Sequence, residues 1–198
     1  METAKILYKL DKICDRLIEN EELLTELDRR IGDGDHGINV KRGFSEIKKA
    51  LPTYEGKTVK EIFNGIAIIL MSKVGGSSGP LFSTAFMKAG KEESFGDMLS
   101  AAAEGIEFRG KAVVGDKTMV DVLRPAADTY NEAISEGNTH QEAMAKTVAV
   151  AKEKLDYTET IAAKKGRASY LGERSIGTKD PGAYSIYLIL YEIGRDDS

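Results

Sequence analysis

This chain of 198 residues lacks most of the features that mark specialised protein classes. It has one cysteine, Cys14, so no disulfide can close within it, in keeping with a reducing compartment. Among Leu10, Ile13 and Leu17, that thiol is expected in the core rather than at a reactive site. Basic charge is not in excess: 28 basic against 32 acidic residues give a net charge of -4, which excludes the overall basic footprint of a nucleic-acid binder. Long apolar runs are missing too. The longest, "AYSIYLILYEI", is too short to cross a bilayer, and "METAKILYKLDKICDRLIEN" mixes charge with apolar residues and has no signal-peptide core. No nucleic acid and no membrane are expected as partners, and the cytoplasm is the expected location.

What is present is ordinary globular composition. Hydrophobic residues make up 41% and charged residues 30%, with only four prolines, and the length suits one domain spanning residues 1–198. Apolar residues recur at three and four, as in Ile6, Leu7, Leu10, Ile13, Cys14 and Leu17, or Phe63, Ile66, Ala67 and Leu70, which is the period of helix faces. Thr58 followed by Glu61 reads as a capping box opening a helix that runs to about Val74. Further helices are expected over 36–51, 79–93, 97–109, 119–136, 140–154, 157–165 and 182–194. "YSIYLILY" has strand-like composition, but it has no hairpin partner and is read as a buried helix. The fold class is all-α.

Glycine gathers in four connections between these helices, at 32–37, 75–79, 110–115 and 166–182. The first, "IGDGDHG", contains G-x-G-x-x-G, yet the charged "EELLTELDRR" before it is no strand, and Asp33 and Asp35 would repel a bare pyrophosphate. "GIEFRGKA" fails as a P-loop because Ala112 stands where magnesium needs a hydroxyl. Counted from Asp33, an EF-hand fails at Ile38 and Phe44. There remain Asp28, Asp33 and Asp35 across a helix end and a flexible turn. Three carboxylates so close repel one another unless a hard cation joins them, and two magnesium ions could share the cluster. Helix caps or Asx turns account for most Asp-Gly pairs and stay open as the alternative.

"VGGSSGPLF" supplies a second loop. Gly75, Gly76 and Gly79 permit close approach of the backbone, Ser77 and Ser78 add hydroxyls, and Pro80 falls in the first turn of the next helix, whose free amides suit an anion. A plain helix-helix turn explains this loop alone equally well; the two loops together suggest a Mg-nucleotide site.

Four ordered segments, "LDRRIGDGDHGINVKRGF", "VGGSSGPLF", "GDKTMVD" and "KKGRASYLGERSIGTKDPGA", together resemble the nucleotide-binding L subunit of dihydroxyacetone kinase. The resemblance implies a barrel of about eight antiparallel amphipathic helices with the nucleotide on loops at one end. It implies that Asp28, Asp33 and Asp35 hold two Mg2+ ions bridging the phosphates of ADP or ATP. Around the nucleotide it places His36, Gly37, Ile38, Asn39, Ser77, Ser78, Gly110, Thr118, Met119, Arg167, Asp180, Pro181 and Gly182. Arg167 is the catalytic candidate, a charged fork for phosphoryl oxygens; Met119 offers a polarisable face to adenine.

In such an enzyme a separate K subunit binds dihydroxyacetone covalently. When the L subunit stands alone it keeps ADP as a cofactor, which a phosphohistidine M subunit of the phosphotransferase system recharges. A homodimer is the expected self-association. The competing readings are an ATP-consuming kinase subunit, a Mg-ADP-dependent module docking on a transcription regulator, and a helical scaffold without a ligand.

Overall fold

A computed structural model describes residues 3–195. The described residues form nine α-helices and no strand, so the all-α expectation holds: α1 (Thr3–Glu19), α2 (Glu21–Ile31), α3 (His36–Ala50), α4 (Val59–Lys73), α5 (Ser78–Ala89), α6 (Phe95–Gly110), α7 (Val120–Ser135), α8 (His140–Thr158) and α9 (Pro181–Gly194). Short 3-10 segments lie at Leu51–Tyr54 and Arg167–Ser175. Local sequence explains the helix starts. The Thr58 hydroxyl accepts from the Glu61 amide at 3.3 Å while the Glu61 carboxylate accepts from the Thr58 amide at 2.8 Å, and Thr139 with Glu142 repeats the box at α8. "YSIYLILY" is the body of α9, burying Ile186, Leu188 and Leu190.

Helices adjacent in the chain pack from α3 through to α9, and α1 packs on both α3 and α9, so the pairings return to their start. α2 stands apart from this series, against α3, α9 and the 3-10 segment at Arg167–Ser175. The apolar stripes meet in one continuous core; Phe44 of α3 and Phe82 of α5 touch edge to face with ring centres 5.9 Å apart.

One expected helix is absent. Residues 159–166 are turns and extended chain, and α8 instead continues to Thr158. The carbonyls that would propagate a helix here have other partners: Glu159 O accepts from the Gly177 amide at 2.8 Å, and Ile161 O from the Lys117 ammonium at 3.1 Å. Tertiary partners override a locally helix-favouring composition. The helix α5 also stops short of expectation, ending at Ala89 with Gly90 as its cap.

Cys14 is 1% exposed, and burial pushes its thiol up to about 12, with Asp11 adding to the shift. A thiol reagent at pH 8 is therefore expected to label the native chain more than about 100-fold slower than the chain in denaturant. Comparable rates in both conditions would contradict the packing described for α1.

Candidate functional site

The four glycine-rich connections converge on one cavity of about 530 Å3, a volume within the range of small-molecule sites. The first wall is the junction of α2 and α3. Gly34 at φ +74° turns the chain so that Asp33 and Asp35 return toward Asp28. One ligand oxygen from each of the three carboxylates lies within 4.8 Å of the other two.

The local bonding separates the roles of these aspartates. Asp28, 9% exposed, uses Oδ2 to accept from the amides of Asp35 at 2.9 Å and His36 at 3.0 Å, so a residue of α2 satisfies the open N-terminus of α3. Asp35 holds the N-cap position of α3, yet its side chain makes no capping bond. Asp33 faces a cation already: Arg167 Nη1 lies 3.0 Å from its Oδ2. Helix capping thus accounts for Asp28 and leaves Asp35 unexplained. Three hard oxygen donors so placed fit magnesium, which takes one or two carboxylates and completes its shell with water and phosphate oxygens.

The second wall is the start of α5. Ser78, Pro80 and Leu81 of its first turn line the cavity beside Gly75, Gly76 and Ser77, and the start of a helix carries amides without helical partners that suit an anion. His36 braces this wall. Its Nδ1 lies 3.0 Å from Ser78 Oγ and its Nε2 2.8 Å from Ser185 Oγ, while Ser185 Oγ donates to the Pro181 carbonyl at 3.1 Å. With the Ser185 proton so used, the ring donates through Nε2 and accepts the Ser78 hydroxyl at Nδ1. The imidazole therefore ties α3 to α5 and α9, and the Ser78 hydroxyl is engaged by the ring.

Burial pushes His36 down to about 4, against the opposing pull of Asp35 and the Pro181 carbonyl. The unfolded chain thus binds a proton near pH 6.5 that the folded chain refuses until about 4. Stability is full above 6.5 and falls as pH drops toward 4, by up to about 3 kcal/mol. Denaturant melts of the metal-free chain should show this decline, and His36→Asn should lack this share of it. An unchanged slope in the variant would put the titration elsewhere.

The remaining walls come from the end of α6 (Ile106, Arg109, Gly110) with Ala112 just beyond it, the turn before α7 (Lys117, Thr118, Met119), the connection from α8 to α9 (Lys165 to Ala168), and the start of α9 with its cap (Asp180 to Gly182). Asp121, 1% exposed, shapes the turn by accepting from the amides of Gly115 and Thr118, each at 2.7 Å. Asp180 caps α9 through the Ala183 amide at 2.7 Å. Burial of its carboxyl pushes it up to about 7, with Asp121 and Asp28 adding, against that amide and Lys117.

Most residues singled out in the sequence face this cavity; Gly37, Ile38 and Asn39 do not line it. A side chain at Gly37 would meet the Glu21 carbonyl at 2.2 Å, so its role is the close contact of α3 with α2. Ile38 is 49% exposed, and Asn39 is buried, accepting from Arg42 Nη2 at 2.6 Å. Sequence pattern does not single out Arg109, Lys117, Lys165 or the apolar wall of Leu81 and Ile106, all of which line the cavity. Arg109 and Lys165 stand beside glycines of two of the four connections, a signal that could have found them; nothing in the pattern marks Lys117 as buried.

Fold and cavity define an all-α protein with a cleft acidic at one wall and rich in glycine and serine at the next, an arrangement suited to a phosphate-bearing ligand with its cation. The model of the DAK2 domain matches residues 30–195, and the chain belongs to that family. It is 44% identical over 190 residues to the ADP-binding subunit of a PEP-dependent dihydroxyacetone kinase of Listeria innocua, covering 92% of this chain and 90% of that one. The corresponding ADP-binding subunit of Escherichia coli is 39% identical over 196 residues, covering 94% and 93%. A crystal structure of the dihydroxyacetone kinase from C. freundii in complex with AMP-PNP and Mg2+ superposes with a TM-score of 0.78 at 23% identity, over 98% of this chain and 34% of that one. The chain spans about a third of that longer protein, and the match shows a shared fold.

Proposed function

We propose that this chain is the nucleotide-carrying subunit of a PEP-dependent dihydroxyacetone kinase. It keeps Mg-ADP, which a phosphohistidine M subunit of the phosphotransferase system recharges, and its phosphoryl group goes to dihydroxyacetone on a K subunit. The observation that carries this reading is the meeting, in one cavity, of three convergent carboxylates and the glycine- and serine-rich start of α5. It is supported by relatives that are themselves separate ADP-binding subunits of nearly the same length. The pairing order of the helices supports a closed barrel of eight with α2 outside it. No described helix is long and apolar enough to cross a membrane, and exchange with a phosphohistidine partner suits a cytoplasmic chain.

Magnesium, when bound, supplies charge neutralisation to phosphoryl oxygens. The chain supplies position. Asp28 is held by two backbone amides, so its free oxygen is set before any ion arrives. The start of α5 would offer its unpaired amides to phosphate, and His36 keeps that start against α9 without carrying charge itself. Arg167, 70% exposed at its side chain, sits above Asp33, where a planar cation can exchange a carboxylate for phosphoryl oxygens. Met119 and Ile106 give the apolar wall that a base requires.

The test is reconstitution of the chain, as purified, with K subunit, phosphorylated M subunit and dihydroxyacetone. Dihydroxyacetone phosphate is expected without added ATP. Product only when ATP is supplied in stoichiometric amounts would overturn the retained-cofactor reading, and no product under either condition would overturn the kinase reading.

A further inference from the structure

Lys117 is 1% exposed and stands in the left-handed backbone region at φ 62°. A residue with a side chain occupies that region at a steric cost, and an ammonium enters the interior only where acceptors await its protons. The acceptors here are two main-chain carbonyls: Nζ donates to Ile161 O at 3.1 Å and to Ser175 O at 2.6 Å. Those carbonyls lie on the outgoing and returning limbs of the connection from α8 to α9, and Arg167 stands between them in the chain. A second bond joins the same limbs, from the Ala163 amide to Ser175 Oγ at 2.8 Å, and the Lys164 amide anchors the outgoing limb on Asp116 O at 3.0 Å.

Burial pushes the Lys117 ammonium below its ordinary range, opposed by Asp180, Glu159 and Asp121. Arg167 itself is 70% exposed, so its side chain is not fixed by packing, and its place over Asp33 depends on where the backbone of the connection is held. The bonds that hold this backbone to the turn before α7 run through Lys117 and its neighbour Asp116.

We propose that Lys117 is a positioning residue: its buried ammonium draws together the two limbs that carry Arg167 and so sets the guanidinium over the acidic trio. Although Lys117 lines the cavity, its ammonium is spent on the two carbonyls, and in this role it acts through Arg167. This role rests on the nucleotide function proposed for the cavity. It also explains why a lysine occupies a backbone conformation that favours glycine, because this conformation aims the side chain beneath the connection.

The test is a mutant cycle read by release of Mg-ADP and by hydrogen exchange. Lys117→Met keeps the length of the side chain and removes the donor. It is expected to speed release of Mg-ADP about tenfold or more and to remove exchange protection within residues 161–175. Because both residues act as one unit, Arg167→Ala added to Lys117→Met should release ADP little faster than the faster single variant. Effects that multiply, or wild-type release and protection in Lys117→Met, would overturn the proposal. If Lys117→Met does not fold, Ser175→Ala removes the second link between the limbs without touching a charge; the same lack of multiplication with Arg167→Ala is expected, and multiplication would overturn the clamp. If the wild-type chain binds no Mg-ADP, the nucleotide reading fails, while hydrogen exchange on the ligand-free variants still decides whether Lys117 holds the connection.

Discussion

Asp35→Asn is expected to weaken binding of Mg-ADP by more than about 100-fold while leaving the ligand-free fold intact. Of the three clustered carboxylates, Asp28 spends one oxygen on the amides of Asp35 and His36, and Asp33 is paired with Arg167. Asp35 makes no capping bond of its own, so its charge has no structural partner that explains it. The carboxamide keeps the shape, removes one charge from a cluster whose members repel, and costs the fold no hydrogen bond. The melting temperature of the ligand-free variant should therefore equal or exceed that of the parent, whereas titration calorimetry should show the loss of Mg-ADP affinity. Unchanged affinity would assign Asp35 to the turn alone.

Arg167→Ala is expected to slow phosphoryl transfer by about 1000-fold, the lower end of what a transition-state arginine contributes. Its ion pair with Asp33 is exposed, at 70% for the arginine side chain, and such pairs stabilise a fold by only about 0–1 kcal/mol. Loss of the guanidinium should thus act on phosphoryl transfer and on retention of the nucleotide while sparing the stability of the fold. Arg167→Lys should recover little of the rate, because one ammonium cannot span two phosphoryl oxygens as a planar fork does. Single-turnover transfer to dihydroxyacetone in the presence of K subunit measures this directly, and a rate within about threefold of the parent would remove Arg167 from the mechanism.

The helices and the acidic cluster were legible because both rest on short-range order. Apolar periodicity exposes the buried faces of α1 and α4, Thr58 and Glu61 announce the start of α4, and Asp28, Asp33 and Asp35 lie within one helix end and one turn. What escaped depends on partners distant in the chain. His36 bridges Ser78 and Ser185, and neither pairing leaves a mark in local composition. The segment after Thr158 has the composition of a helix in "IAAKK", but its carbonyls serve Lys117 and Gly177 instead. Lysine is a surface residue by expectation, so the burial of Lys117 becomes visible only once the two limbs around it are placed.

Glycine in the site has two meanings that the sequence cannot separate. Gly34 is required by its φ of +74°, which returns Asp33 and Asp35 toward Asp28. Gly37 has ordinary helical surroundings and is required because α3 lies hard against the Glu21 carbonyl. The first serves the cluster; the second serves the packing that holds the cluster to the fold.

The proposed function requires divalent cations between the carboxylate trio and a diphosphate, and equilibrium dialysis of ADP against the purified chain, with Mg2+ and then with EDTA, tests that link most directly. One ADP per chain is expected in Mg2+ and essentially none in EDTA. Retention of ADP at the same occupancy in both would show that the nucleotide is held without the ions, and would contradict the role of Asp28, Asp33 and Asp35 as the ligands that tie it to the protein.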